Sequence, residues 1–332
     1  MKNRHSYFKS SEKRISRHGL SVGAGLGVGL IGALALAIRF GWRHPLRKQI
    51  PDAISPAVFA TRVLNTPSGE IVYHTSGNGT PLLFLHGVFP GASSFEWSKI
   101  YPHFAPNHQV LVPDLIGFGE SQRPRPAISA EAQVKALAAF FQITNGSPAT
   151  LIVSGLSANL ALLLAAHYPE HVARLILWMP LLTLPKKVFT SFYQPLSWFP
   201  ALARIVYQRH WSTEATIQQW LLRSGFSIGD SCLQETVAVL SSTAQQYGAE
   251  HAFLAQSSPA FWKKIVRKIP AISVPISLLT TQDCERQTTE AIAHLRPHAS
   301  RFSMNKVETK SLLAPLTEPH LLLGAMEHEL KN

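Results

Sequence analysis

The sequence predicts an α/β protein, a mostly parallel sheet with helices on both faces, preceded by one membrane-spanning segment. Three observations predict it. Short apolar runs alternate with helical patterns over residues 57–332. One of those runs, 150–153, turns abruptly into a helix through small residues and a serine. A charge-free apolar stretch near the N-terminus matches the thickness of a bilayer. With 332 residues and a hydrophobic fraction of 46%, the chain can bury a sizeable core, which argues against disorder.

The N-terminal 18 residues are basic, and residues 19–40 form the expected transmembrane helix. From Gly19 to Ile38 no charge occurs, and at ~1.5 Å per residue such a helix reaches about 30 Å. Phe40 and Trp42 suit an interface, and basic residues bracket both ends. The formal charge of +12 is concentrated here: residues 1–48 hold ten Lys/Arg against Glu12, leaving 21 Lys/Arg against 18 acids in the rest. That placement favours anionic lipid head groups over nucleic acid as a partner. Six basic residues before the span and four after it point to a cytoplasmic N-terminus of a single-pass membrane protein. A cleaved signal peptide is the alternative, with Ala33, Ala35 and Ala37 as small residues near a cleavage point, but the apolar stretch exceeds the usual ~7–15 residues. Gly23, Gly25, Gly27, Gly29 and Gly32 give small-residue spacings that would support a dimer through the span.

After a linker at 41–56, strands are expected at 59–64, 70–74, 81–85, 109–112, 150–153, 175–178, 276–280 and 301–307. Helices are expected at 130–141, 158–167, 287–295 and 319–330. Residues 181–271 break this alternation; with Trp198, Trp211, Trp220 and Trp262 they read as a helical lid over a core formed by 57–180 and 272–332. Cys232 and Cys284 lack metal or redox spacing, and the histidines lack ligand spacing, so neither a metal nor a cofactor is expected.

Three patterns carry the chemistry. In LFLHGVFPG (83–91) a strand runs into a Gly-containing turn, which makes the Val88 N–H the first candidate oxyanion donor; His86 reads as a structural loop histidine. In PDLIGFGES (113–121), Asp114 reads as structural, tying down a tight loop. In LIVSGLSANLA (151–161), Ser157 reads as the nucleophile at a strained turn, with Gly155 and Asn159 as the neighbours that let strand and helix approach, and the Ala158 N–H as second oxyanion donor. Asn159 departs from the small residue expected there.

With GASSFEW (91–97) and AAHYPEHVARLIL (165–177), these motifs make the chain from about 56 to 330 resemble the α/β-hydrolase superfamily, in its capped branch. The resemblance implies an eight-stranded α/β-hydrolase fold, a lid after strand six and a Ser–acid–His triad in that order. The acid then falls on Asp283, with Glu285 second. The histidine position, anchored on Pro315 or Pro319, falls on Leu313 or Leu312, neither of which can accept a proton; His320 is the nearest substitute, with His294 and His298 more remote. Two functions follow as expectations. One is a serine hydrolase using Ser157, Asp283 and His320 on a small hydrophobic ester or amide delivered from the membrane. The other is a degenerate hydrolase fold that binds an apolar ligand or a protein partner without turnover.

Overall fold

In the computed structural model the chain divides into two compact units, Met1–Pro45 and Leu46–Asn332. The residues described are 59–182, 199–258, 261–262, 272–282, 293, 295–298 and 301–331, all in the second unit. The expected span at 19–40 and its linker therefore lie outside the described residues. Among the described residues no helix is long and apolar enough to cross a membrane.

All eight expected strands form: β1 Ala60–Thr66, β2 Gly69–Ser76, β3 Thr80–Leu85, β4 His108–Pro113, β5 Ala149–Ser154, β6 Val172–Trp178, β7 Ile276–Thr281 and β8 Phe302–Val307. They build one sheet in the order β1-β2-β4-β3-β5-β6-β7-β8. β1, β2 and β4 pair antiparallel, and from β4 through β8 every pairing is parallel. Central strands of a sheet covered on both faces need apolar residues at every position. β3 shows it: Leu83 and Leu85 enter one core cluster, Leu82 and Phe84 the other. The same split divides Leu151 and Val153 from Ile152 in β5, and Leu175 and Leu177 from Ile176 and Trp178 in β6. Each such buried side chain contributes on the order of 2 kcal/mol.

One face carries α1 (Ala130–Ala138) and α2 (Ala158–His167). On the other, Trp97, Tyr101 and Phe104 pack with the Leu322 and Met326 side chains of the last helix. Among the described residues four α-helices lie between β6 and β7: α3 Pro200–Val206, α4 Glu214–Arg223, α5 Leu233–Ala244 and α6 Ala249–Gln256. Thr213 caps α4, its hydroxyl accepting from the Thr216 N–H, as an N-cap threonine does for a donor that has no partner inside the helix. α7, Pro319–Lys331, closes the chain over β7 and β8, where the Glu329 carboxylate accepts from Ser277, Ser303 and Asn305. The helix expected at 287–295 falls mostly outside the described residues.

Candidate functional site

The site forms at the carboxyl ends of β3 and β5, next to the helices inserted between β6 and β7. His86 follows β3 and is fully buried. Its Nε2 accepts from the Leu115 N–H at 3.0 Å, so the proton sits on Nδ1, which donates to the Gly87 carbonyl at 2.7 Å. Burial depresses its pKa and keeps it neutral. With both nitrogens engaged, His86 is the structural histidine the sequence implied. Asp114, also fully buried, accepts from the Ser94 N–H at 2.6 Å and the Glu120 N–H at 2.7 Å, and so fixes both loops that border the site. Gly119 is required there, because a Cβ would lie 2.0 Å from the Asp114 carboxylate.

Glu96 belongs to the same frame and was not singled out from the sequence. It lies in the short helical turn Ser94–Trp97, with Oε2 accepting from the Gly87 N–H at 2.6 Å and Oε1 from the Ser154 hydroxyl at 2.6 Å. Burial raises its pKa to about 7 against those two bonds, which pull the other way. Trp97 fastens the same turn through Nε1 to the Leu85 carbonyl at 3.0 Å. The GASSFEW segment thus straps the loop holding Val88, and a glutamate two residues beyond a serine-rich turn was the available signal.

The turn after β5 departs from the expected arrangement. Ser154 is extended, with φ −110° and ψ 151°, and Gly155 has φ +55°, the left-handed region that favours glycine. Ser157 has φ −66° and ψ −15°, ordinary helical values. The strained residue is therefore Gly155, two positions before the expected one. Ser157 is fully buried, and its hydroxyl donates to the His86 carbonyl at 2.6 Å. The Ala158 N–H donates to the Gly155 carbonyl within the turn, instead of facing a site. Asn159 uses no unusual backbone angle. Its amide sits in α2 and donates to the carbonyls of Leu156 (3.1 Å), Leu181 (3.1 Å) and Leu182 (3.3 Å), clamping the helix start to the exit of β6.

Of the other two triad candidates, Asp283 lies outside the described residues, as do Glu285 and His294. His320 is exposed at the second position of α7, whereas Ser157 is buried against the His86 carbonyl; no hydrogen bond joins them. Where a histidine was expected, the loop carries Leu312 and buried Leu313. Its backbone is tied down: the Leu312 N–H donates to the Ser224 carbonyl at 2.9 Å and its carbonyl accepts from Trp178 Nε1 at 3.0 Å. The Ser311 hydroxyl also donates to Ser224, at 3.2 Å.

Above the turn lies an apolar cavity of about 220 Å³, lined by Val88, Phe89, Leu156, Trp211, Trp220 and Phe253 among others. Phe89 and Trp220 stack across it with ring centroids 5.0 Å apart, joining the β3 loop to α4. A larger polar cavity, about 380 Å³, lies along the loop that follows β8; Ser311 borders it, and it shares no lining residue with the apolar cavity. Among the described residues no cluster of three or more His, Cys, Asp or Glu could hold a metal ion.

The sheet order and the helices inserted between β6 and β7 fit an α/β-hydrolase fold, and residues 80–218 match the alpha/beta hydrolase fold family. Its curated relatives include hydrolases and a dehalogenase. Over 106 residues the chain is 34% identical to 2-hydroxymuconate semialdehyde hydrolase of Pseudomonas sp. (strain CF600), covering 31% of this chain and 38% of that one. Over 122 residues it is 36% identical to a haloalkane dehalogenase of Mesorhizobium japonicum, covering 37% and 38%. The chain thus spans under two thirds of the length of these relatives. Among solved structures, Cfl2 of Burkholderia cenocepacia superposes with a TM-score of 0.65 at 18% identity, over 86% of this chain and 99% of that one. A serine hydrolase involved in carbazole degradation superposes at 0.61 with 16% identity, over 82% and 99%.

Proposed function

We propose that this chain is a membrane-anchored protein of the α/β-hydrolase fold that binds a small apolar ligand under its lid without hydrolysing it. The observation that carries this reading is the Ser157 hydroxyl, fully buried and given to the His86 carbonyl at 2.6 Å. A serine becomes a nucleophile only when a base takes its proton, and a carbonyl cannot do so. Leu312 and Leu313 at the histidine position and the engaged Ala158 N–H support it further. Apolar lining and aromatic walls suit retention of an uncharged molecule. The basic, apolar N-terminus supports anchoring at a lipid surface with the body outside the bilayer.

The test is exposure of the purified full chain to a fluorophosphonate probe. Labelling no greater than in Ser157→Ala is expected; stoichiometric labelling of Ser157 would overturn the reading. A second reading, a serine hydrolase of hydrophobic esters or amides using Ser157, Asp283 and His320, is favoured by the match of residues 80–218 to the hydrolase family. It requires that labelling, and its loss in His320→Ala.

A further inference from the structure

We infer that Gly155, not Ser157, occupies the nucleophile position of this fold, so that the reacting side chain has been replaced by hydrogen and Ser157 is a structural cross-link. This deepens the non-hydrolytic reading and rests on it. In a nucleophile elbow the reacting residue stands at the sharp, strained bend between strand and helix, and the N–H of the next residue points toward the oxyanion. Only one residue of this bend is left-handed. β5 ends at Ser154, Gly155 has φ +55°, and Leu156 and Ser157 already belong to the helical turn that leads into α2. Exposure agrees. Gly155 is partly open, whereas Ser154, Leu156, Ser157 and Ala158 are all buried.

The space over Gly155 has room for a side chain. Beyond its chain neighbours, the atom nearest to a Cβ built there is the Gly87 Cα, 3.9 Å away, an ordinary contact. Gly87 precedes Val88 and Gly155 precedes Leu156, and both Val88 and Leu156 line the apolar cavity. A side chain at 155 would therefore stand between the two backbone segments that form the cavity floor. The residue after the bend is Leu156, which makes its N–H, rather than that of Ala158, the partner of Val88 in any oxyanion site. Ser157, two residues on, is buried and spends its hydroxyl on the His86 carbonyl just after β3.

Thiol accessibility tests the assignment without requiring a base. Gly155→Cys and Ser157→Cys are prepared as full-length chains and treated with iodoacetamide; the thiolate sulfur displaces iodide from carbon, and the thiol proton passes to solvent. Peptide mass analysis separates the new site from Cys232 and Cys284. Alkylation at position 155 at least tenfold faster than at 157 is expected. Equal rates, or faster reaction at 157, would overturn the assignment. Should Gly155→Cys fail to fold, the other variant still decides. Resistance of its thiol until denaturant is added supports the assignment, and native-state alkylation at the rate of an exposed cysteine overturns it. Hydrolysis through some other residue would sink the non-hydrolytic reading while leaving these rates unchanged.

Discussion

The Ser157 hydroxyl joins the turn after β5 to the end of β3, so its removal is a question of stability. Ser157→Ala leaves the buried His86 carbonyl without that donor, and a loss of about 1–2 kcal/mol is expected in urea unfolding, with ligand retention unchanged. Glu96 makes a different prediction. Its carboxyl titrates at about 7 in the fold against an ordinary 4.5, so between those values the native state keeps a proton that the unfolded chain has released. Stability from this group therefore falls as pH rises from about 4.5 to 7, by on the order of 3 kcal/mol. His86 acts in the opposite direction: it stays neutral in the fold while the unfolded chain takes up a proton below an ordinary 6.5. Comparing urea midpoints of wild type and Glu96→Gln at pH 5 and pH 8 cancels the His86 contribution, and the variant should lose the Glu96 slope. A parallel dependence in both chains would refute it. His86 was legible in the sequence as a structural histidine, but the role of Glu96 was not. A glutamate beyond a serine-rich turn reads as solvated until its bonds to Gly87 and Ser154 are seen.

At the scale of elements, period and composition carried most of the fold. The central strands β3, β5 and β6 announced themselves because a sheet covered on both faces demands nearly unbroken apolar runs, and α2 because Ala158–His167 is apolar but for Asn159 and His167. The left-handed residue of the turn before α2 lies two positions before the serine that the sequence singled out. A serine between small residues looked like the apex, whereas backbone strain selects glycine, and Gly155 was read as a spacer. Asn159 was also legible only as an anomaly: its role depends on Leu181 and Leu182, more than twenty residues away. Asn159→Ala should destabilise the fold by about 2–3 kcal/mol, since three carbonyls lose one amide, and a change under 0.5 kcal/mol in thermal or urea unfolding would contradict the clamp. The cap of α4 is a smaller case, where Thr213→Ala should lose about 1 kcal/mol by the same measurement.

At the scale of the whole molecule, the body is expected to separate from the N-terminal segment proposed to bind lipid. A chain lacking residues 1–48 should partition to the soluble fraction, while the full chain sediments with vesicles containing anionic lipid; equal sedimentation of both would count against the anchor. The helices between β6 and β7 bear on what the cavity of the proposed binding protein can release. The end of α4 is stapled to the loop after β8, with the Ser224 carbonyl taking both the Leu312 N–H and the Ser311 hydroxyl, and Gly225 pressed so close that any Cβ would lie 2.5 Å from Ser311. One turn earlier in the same helix, Trp220 stacks on Phe89. In the proposed binding role α4, anchored at Trp220 and Ser224, forms a fixed wall of the apolar cavity, so slow departure of a guest is the expected behaviour.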